Sequence, residues 1–427
     1  MFKNKRSYLV PIIGFAFIIL ISTIVLCLPI CNYKPISFRD VLFTATSALT
    51  TTGFTKSALQ TQFNFLGQAI LAILMEIGAM GFVIFISYFL SVRNKKIRMS
   101  DIILINDNIS GDSYASIKEH SIFIGKLMLK VQLAGIIFLA LRFIPMFGIG
   151  RGIWYSIFHT ISAFSNTGFT LFEGESLSYF ASDIYVQIVL IVLMILGSIG
   201  ILVIEDLKKN RHKRFNRLKL QTKIVLTYTI GLLFVPMFIM KMLDPTLSLL
   251  NCLFMSTTTR STGFAITNVS KLCMENQAML MILMFIGGSP TSTSGGVKII
   301  TIAILLSTVI STLRGKEETV MFWKRIPDSS IRKAFSILMV FVIVLAVTCT
   351  IFYHLDNIGI FNIIFESISA ITNTGLTVTD YNTLKIGGEV IIMFLMYVGR
   401  VGPLTMVLAV INKDRKNIKY PSEDVIL

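Results

Sequence analysis

The chain has 427 residues, of which 54% are hydrophobic and 15% charged, and its apolar residues fall in long runs instead of short periodic patches. That distribution excludes an ordinary soluble domain and reads as a membrane protein. A net charge of +16 does not point to nucleic acid, because 27 of the 39 lysines and arginines lie in 1–7, 92–126, 206–223, 314–333 and 412–427. These are alternate connections between apolar runs, the positive-inside pattern, with both termini in the cytoplasm.

In chain order, apolar segments occupy 8–30, 64–91, 127–148, 184–204, 223–243, 276–313 (interrupted), 335–354 and 387–411. Each supplies about the 20 residues a bilayer crossing needs, so eight transmembrane helices are expected. The first has no small-residue cleavage site before "CNYKP" and reads as a retained span. Four shorter apolar stretches, such as "VLFTATSALT" and "IIFESISAIT", are too short to span and fit re-entrant helices. Each leads into a related hexapeptide: "TTTGFT" at 50, "SNTGFT" at 165, "RSTGFA" at 260 and "TNTGLT" at 372.

Aligned without gaps, the hexapeptides bring Phe43, Phe158, Leu253 and Phe365 into register upstream. Downstream, Gly78, Gly197, Gly287 and Gly399 align in "EIGAMGF", "ILGSIGI", "FIGGSPT" and "YVGRVGP". The expected fold is therefore an all-α membrane protein of four tandem repeats, each a span, a re-entrant helix, a TG loop and a span, around a pseudo-fourfold pore. The divisions are repeat 1 at 1–91, a cytoplasmic linker at 92–126, repeat 2 at 127–205, a basic linker at 206–222, repeat 3 at 223–313, a linker at 314–334, repeat 4 at 335–411 and a tail at 412–427.

Irregular backbone at membrane depth is tolerated only where protein or a water-filled cavity satisfies it, so four such loops are expected to converge on one axis. Gly53, Gly168, Gly263 and Gly375 can take positive φ and turn consecutive carbonyls inward. Thr52, Thr167, Thr262 and Thr374 can anchor the loops by their hydroxyls and can add oxygen ligands. With the preceding Thr51, Asn166, Ser261 and Asn373, these are the candidate cation-binding residues. Rings of carbonyl oxygens replace the hydration shell of K⁺ in known filters, and the negative C-terminal ends of short helices favour a cation beneath. The paired glycines Gly78/Gly81 and Gly197/Gly200 read as close helix packing.

The third repeat is interrupted by Gly287, Gly288, Ser289, Pro290, Thr291, Ser292, Thr293, Ser294, Gly295 and Gly296. Lys298 is followed by Ile and no strand precedes the segment, so it is not a phosphate-binding loop. A polar, flexible break within a pore-lining helix reads as a gate below the loops. Arg400, an expensive intramembrane guanidinium, is expected to find partners among the hydroxyls and carbonyls of 289–294. Arg260 reads as bracing the back of its loop, and Asp40, Asp244 and Asp356, before the short helices on the outside, as caps of those helices, with attraction of cations as the alternative. The five cysteines and four histidines form no ligand pattern, and no catalytic constellation is present, so neither a bound cofactor nor an enzyme is expected.

The TGF-type loops, "IGGSPTSTSGGVK" and "VGRVGPLT" together resemble the Ktr/Trk/HKT superfamily of cation transporters, most closely its KtrB branch, over essentially the whole chain. A first repeat opening within about ten residues of Met1 favours that branch over Trk-type subunits. The resemblance implies K⁺ uptake across a bacterial plasma membrane, a homodimer, and a separate cytosolic ring of nucleotide-binding subunits of the KtrA/KtrC kind. It supports the gate reading of 287–296, and it implies that a serine in place of the first loop glycine would mark a Na⁺ carrier. Glycine at all four loops points to K⁺, with a Na⁺-selective or Na⁺/K⁺-cotransporting member as the alternative. Leu376 departs from the Phe found after the glycine in the other three loops, which leaves the packing behind the fourth loop open.

Overall fold

The computed structural model describes residues 5–81, 114–172, 176–210 and 215–410. The expected end of repeat 1 at 82–91, most of the linker 92–126, the stretch 211–214 and the tail 412–427 lie outside the described residues. The protein is predominantly helical, and a two-residue hairpin, Val320–Met321 with Lys324–Arg325, is the strand pairing named among the described residues. It turns through Phe322 and Trp323, both at positive φ, inside the segment expected to be a plain linker.

Four helices, Lys5–Leu26, Tyr114–Phe147, Leu220–Leu243 and Asp328–Leu355, each precede a short helix: Phe38–Leu49, Ile149–Phe164, Leu249–Thr258 and Ile360–Ile371. Further helices at Phe65–Met80, Ile184–Ser198, Met274–Phe285 and Ile386–Val401 follow the four TG loops. The long helices 122–147 and 328–355 are only 22% and 17% buried over their most apolar windows. Their exposed faces carry Leu133, Ile137, Leu141, Val342, Ile343 and Val347, a surface suited to hydrocarbon and not to water. The short helices are instead buried in protein: Phe43, Phe158 and Phe365 have no exposed surface, and Leu253 is half-buried.

Capping falls on different residues from those expected. Ser37 and Ser248 cap two short helices by accepting from Asp40 N and Asn251 N, while Gly148 and Gly359 occupy the other two N-cap positions. Asp40 sits in the first turn, and Asp244 and Asp356 are the C-cap residues of the preceding long helices. Their carboxylates accept from Thr246 N and Lys385 N instead of starting the short helices. A residue at the N-cap itself has the reach for the capping bond, which these aspartates, three or four residues off register, lack.

The helices after the loops are not the unbroken spans expected from the apolar runs. Three described helices are long and apolar enough to cross a membrane alone, and Ile184–Ser198 with Ile201–Lys209 forms a pair bent by 93°. The bend sits at Gly200, φ 88°, and the same register position is left-handed at Gly81, φ 72°, and Gly402, φ 94°. The second glycine of each pair thus ends a helix. Among the described residues Gly81 has open space where a Cβ would project, which corrects its reading as a packing position, whereas a Cβ on Gly200 would overlap Ser289 and Pro290. The first glycine packs against the end of a short helix. A Cβ on Gly78, Gly197 or Gly399 would overlap the carbonyl of Leu49, Phe164 or Ile371, each the last residue of a short helix.

Candidate functional site: the four loops and the segment beneath them

Each short helix ends by placing one residue in the left-handed region: Thr51 at φ 55°, Asn166 at 54°, Ser261 at 70° and Asn373 at 52°. Two residues on, Gly53, Gly168, Gly263 and Gly375 are left-handed again, at 95°, 79°, 80° and 90°. A residue of opposite hand at every second position lets successive carbonyls turn to one side of the chain. A Cβ on Gly53 would overlap the carbonyl oxygen of Thr167, one on Gly168 that of Thr262, one on Gly263 that of Thr374 and one on Gly375 that of Thr52. The loops therefore meet in closed cyclic order, first to second to third to fourth to first. All four glycines line one cavity of about 520 Å³, together with Phe54, Lys56, Phe169, Ala265 and Thr377.

The threonine hydroxyls face backwards into hydrogen bonds. Thr52 pairs with Thr50, Thr167 with Ser165 and Thr374 with Thr372, each at 2.8 Å. Arg260 occupies that partner position in the third loop, so Thr262 donates instead to Asn166 Oδ1 of the neighbouring loop at 2.8 Å. The Arg260 guanidinium, itself buried, donates to the Thr229 carbonyl at 2.7 Å on the preceding long helix. Asn373 Nδ2 reaches Thr52 Oγ1 at 3.1 Å and the Met396 carbonyl at 2.7 Å, and Ser261 Oγ donates to the Asn373 carbonyl at 2.7 Å. Asn166, Ser261 and Asn373, two before their glycines, thus stitch one loop to the next, which their identity alone did not reveal, whereas the buried Thr51 hydroxyl has no such bond among the described residues. Leu376 is as buried as Phe54, Phe169 and Phe264, packed with Met255, Leu280 and Phe365, which answers the question left by its departure.

Directly below, residues 287–296 fold into a compact segment hydrogen-bonded across repeats. Ser289 N donates to the Ser198 carbonyl at 3.0 Å, Ser294 Oγ to the Arg260 carbonyl at 3.1 Å, and Ser261 Oγ accepts from Gly295 N at 2.8 Å. Asn166 Nδ2 donates to Thr293 Oγ1 at 2.6 Å. Ser289, Thr293 and Ser294 are buried, whereas Pro290, Thr291 and Ser292 keep some exposure. Arg400 donates to the Thr293 carbonyl, within the expected range, and also to the carbonyl of Gly78 in the first repeat. The second partner lies more than 300 residues away in sequence and carries no local signal.

At the opposite side of the loops, Lys56 follows the first glycine and is almost wholly buried. Its ammonium bonds Asp40 at 2.6 Å and Glu389 at 2.7 Å, and Arg39 also reaches Glu389 at 3.0 Å. Burial opposes the charge on Asp40, but the hydrogen bonds from Lys56 and Ser37 outweigh it and hold the carboxyl below its ordinary value. Burial likewise opposes the Lys56 charge and is outweighed by its two carboxylate partners, which raise its pKa. No group of three or more metal-ligating side chains occurs among the described residues.

Residues 12–420 match the TrkH family, described as cation transport protein. The chain belongs to that family. It is 34% identical to the Ktr system potassium uptake protein B of Bacillus subtilis (strain 168), over 97% of this chain and 95% of that protein. It is 33% identical to the potassium/sodium uptake protein NtpJ of Enterococcus hirae, over 100% and 99%. The crystal structure of the potassium transporter TrkH from Vibrio parahaemolyticus superposes with a TM-score of 0.76 at 18% identity, covering 96% of this chain and 85% of that one. As a TrkH-family member the chain is a multi-pass membrane cation transporter and not an enzyme.

Proposed function

We propose that this TrkH-family protein takes up K⁺ across the bacterial plasma membrane through the ring of four TG loops. The observation that carries this reading is the cyclic contact of each loop glycine with the threonine carbonyl of the next loop. Carbonyls so arranged can replace a dehydrated cation's water, and the C-terminal ends of four short helices beside the ring add favourable negative potential. Thr51, Asn166, Ser261 and Asn373 contribute through their backbone carbonyls, while the side chains of Asn166, Ser261 and Asn373 hold the ring together. Residues 287–296, pinned by Arg400, act as the gate beneath it. Both termini lie in the cytoplasm, and the transporting unit is a homodimer that docks a cytosolic nucleotide-binding ring. K⁺ is the substrate, and no cofactor is held by this chain.

The test is flux into proteoliposomes with K⁺ or Na⁺. Wild-type protein is expected to favour K⁺, and Gly53→Ser to lower the K⁺/Na⁺ ratio, because a Cβ at that φ displaces the neighbouring carbonyl. An unchanged ratio in the folded variant would overturn the filter reading. A second reading, transport of Na⁺ as well as K⁺, is favoured by the similarity to a protein named potassium/sodium uptake protein. Comparable wild-type flux of the two ions would select it.

A further inference from the structure

Nine residues before each loop glycine, on the short helix, stand Thr44, His159, Phe254 and Glu366. In the second and fourth units this residue reaches across to the segment that follows its own loop. His159 Nε2 accepts from Leu171 N at 3.2 Å, and Glu366 Oε1 accepts from Val378 N at 2.8 Å. Leu171 and Val378 both lie three residues after their glycine, so the two bonds occupy the same register. Glu366 also accepts from Thr377 Oγ1 at 2.8 Å, from Thr379 N at 3.1 Å and from the Tyr381 hydroxyl. His159 Nδ1 lies 2.7 Å from the Tyr155 carbonyl, a partner that can only accept, so the proton sits on Nδ1 and Nε2 is free to accept. The imidazole stacks on Phe172 with ring centroids 4.3 Å apart.

Neither side chain has exposed surface. A carboxylate and an imidazole without water are costly unless satisfied, and here the partners are donors of the loop's continuation. The first and third units lack this device. Thr44 donates to the Asp40 carbonyl one turn back at 2.9 Å, and Phe254 is apolar. Their continuations are tied elsewhere, by the Lys56 ion pairs and by Ser176 Oγ accepting from Ala265 N at 3.1 Å. In the cyclic order of the loops, the second and fourth lie opposite one another.

We propose that His159 and Glu366 are positioning residues for ion discrimination: buried acceptors on opposite sides of the ring that fix the height of the segments after Gly168 and Gly375. The inference rests on the filter reading above. A carbonyl ring released from such a brace can contract around a smaller ion, so the variants lose discrimination before they lose transport. Neither residue touches the ion.

Four variants test this in proteoliposomes, with K⁺/Na⁺ flux ratio and K⁺ half-saturation measured on protein matched for folding and amount. Glu366→Gln, which puts an amide NH₂ among donors, is expected to lower the ratio about tenfold, the scale of losing a charge-assisted hydrogen bond. His159→Phe keeps a stackable ring of the type found at Phe254 but removes the acceptor, and is expected to lower the ratio about threefold. His159→Gln restores an acceptor and is expected to recover most of that loss. Thr44→Val, at the same register of the first unit, is expected to leave the ratio unchanged. Tyr381→Phe removes one donor to Glu366 with little risk to folding, and decides the fourth unit if Glu366→Gln does not fold. Gly375→Ser is measured alongside. If it lowers the ratio while Glu366→Gln, or Tyr381→Phe in its place, and His159→Phe do not, the positioning role is overturned and the filter stands. If Gly375→Ser also leaves the ratio unchanged, the filter reading fails and the positioning role with it.

Discussion

At the scale of single residues, the ring tolerates no Cβ. Gly375 is left-handed, and the Thr52 carbonyl stands where a methyl would project, so Gly375→Ala meets both backbone strain and a clash. A left-handed non-glycine residue costs about 1–2 kcal/mol before any overlap is counted. We expect Gly375→Ala to lower both the K⁺/Na⁺ flux ratio and the midpoint of thermal unfolding in detergent. The double alteration Gly375→Ala with Gly53→Ala should cost less than the sum of the two, because neighbouring loops relax together. Lys56 makes the opposite case, a charge whose value depends on its partners. Lys56→Met leaves Glu389, which is 1% exposed, with Arg39 as its remaining cation. We expect a loss of about 3 kcal/mol in unfolding free energy, most of it recovered in Lys56→Met/Glu389→Gln. Strictly additive losses would show that the pair does not act as a unit.

At the scale of elements, the segment 287–296 and the glycine hinges tell one story. Gly81, Gly200 and Gly402 each end a helix at the same register, and the third unit has Pro290 there within its longer break. Among the described residues, the third unit inserts a compact segment below the loops, and it is held by hydrogen bonds from the second unit, from its own loop and from Arg400. Deleting Ser289 to Ser294 is expected to raise K⁺ flux and to weaken its dependence on a cytosolic partner. Arg400→Ala, matched for protein level, is expected to shift the closed-to-open balance the same way by about one to two decades, the equivalent of 1.5–3 kcal/mol for charge-assisted bonds. Flux measured in proteoliposomes with and without the partner decides this. A deletion variant that folds but does not conduct, or conducts as before, removes the gate from the account.

At the scale of the molecule, the four units form one body because their loops share a ring, and a bound cation would tie all four together. Saturating K⁺ is therefore expected to stabilise the whole chain, by about 2.7 kcal/mol at a hundredfold excess over its dissociation constant. Thermal unfolding in K⁺, compared with equal Na⁺ or an organic cation at the same ionic strength, measures this. Equal midpoints in all three salts would exclude a selective site. The apolar outer faces of Tyr114–Phe147 and Asp328–Leu355 belong to lipid in this picture. A homodimer should then leave part of such a face covered, which cross-linking in native membranes would detect.

The membrane class and the turn that each loop glycine makes after a short helix were legible in the sequence because each leaves a local trace. Long apolar runs, a glycine that recurs after a short helix, and a proline-glycine break inside a span all depend on neighbours in the chain. The order in which the loops meet was not legible, since the four hexapeptides are nearly alike and only packing decides that Gly53 faces Thr167 and Gly375 faces Thr52. Nor was the Gly78 carbonyl under Arg400, the Lys56 and Glu389 pair, or the different treatment of Thr44, His159, Phe254 and Glu366. Two of the aspartates read as caps lie at the ends of the preceding helices, and the broken pair at Gly200 replaced a straight span. A hydrogen bond depends on distance in space, and residues far apart in the chain are brought within reach only when the long helices close around the short ones.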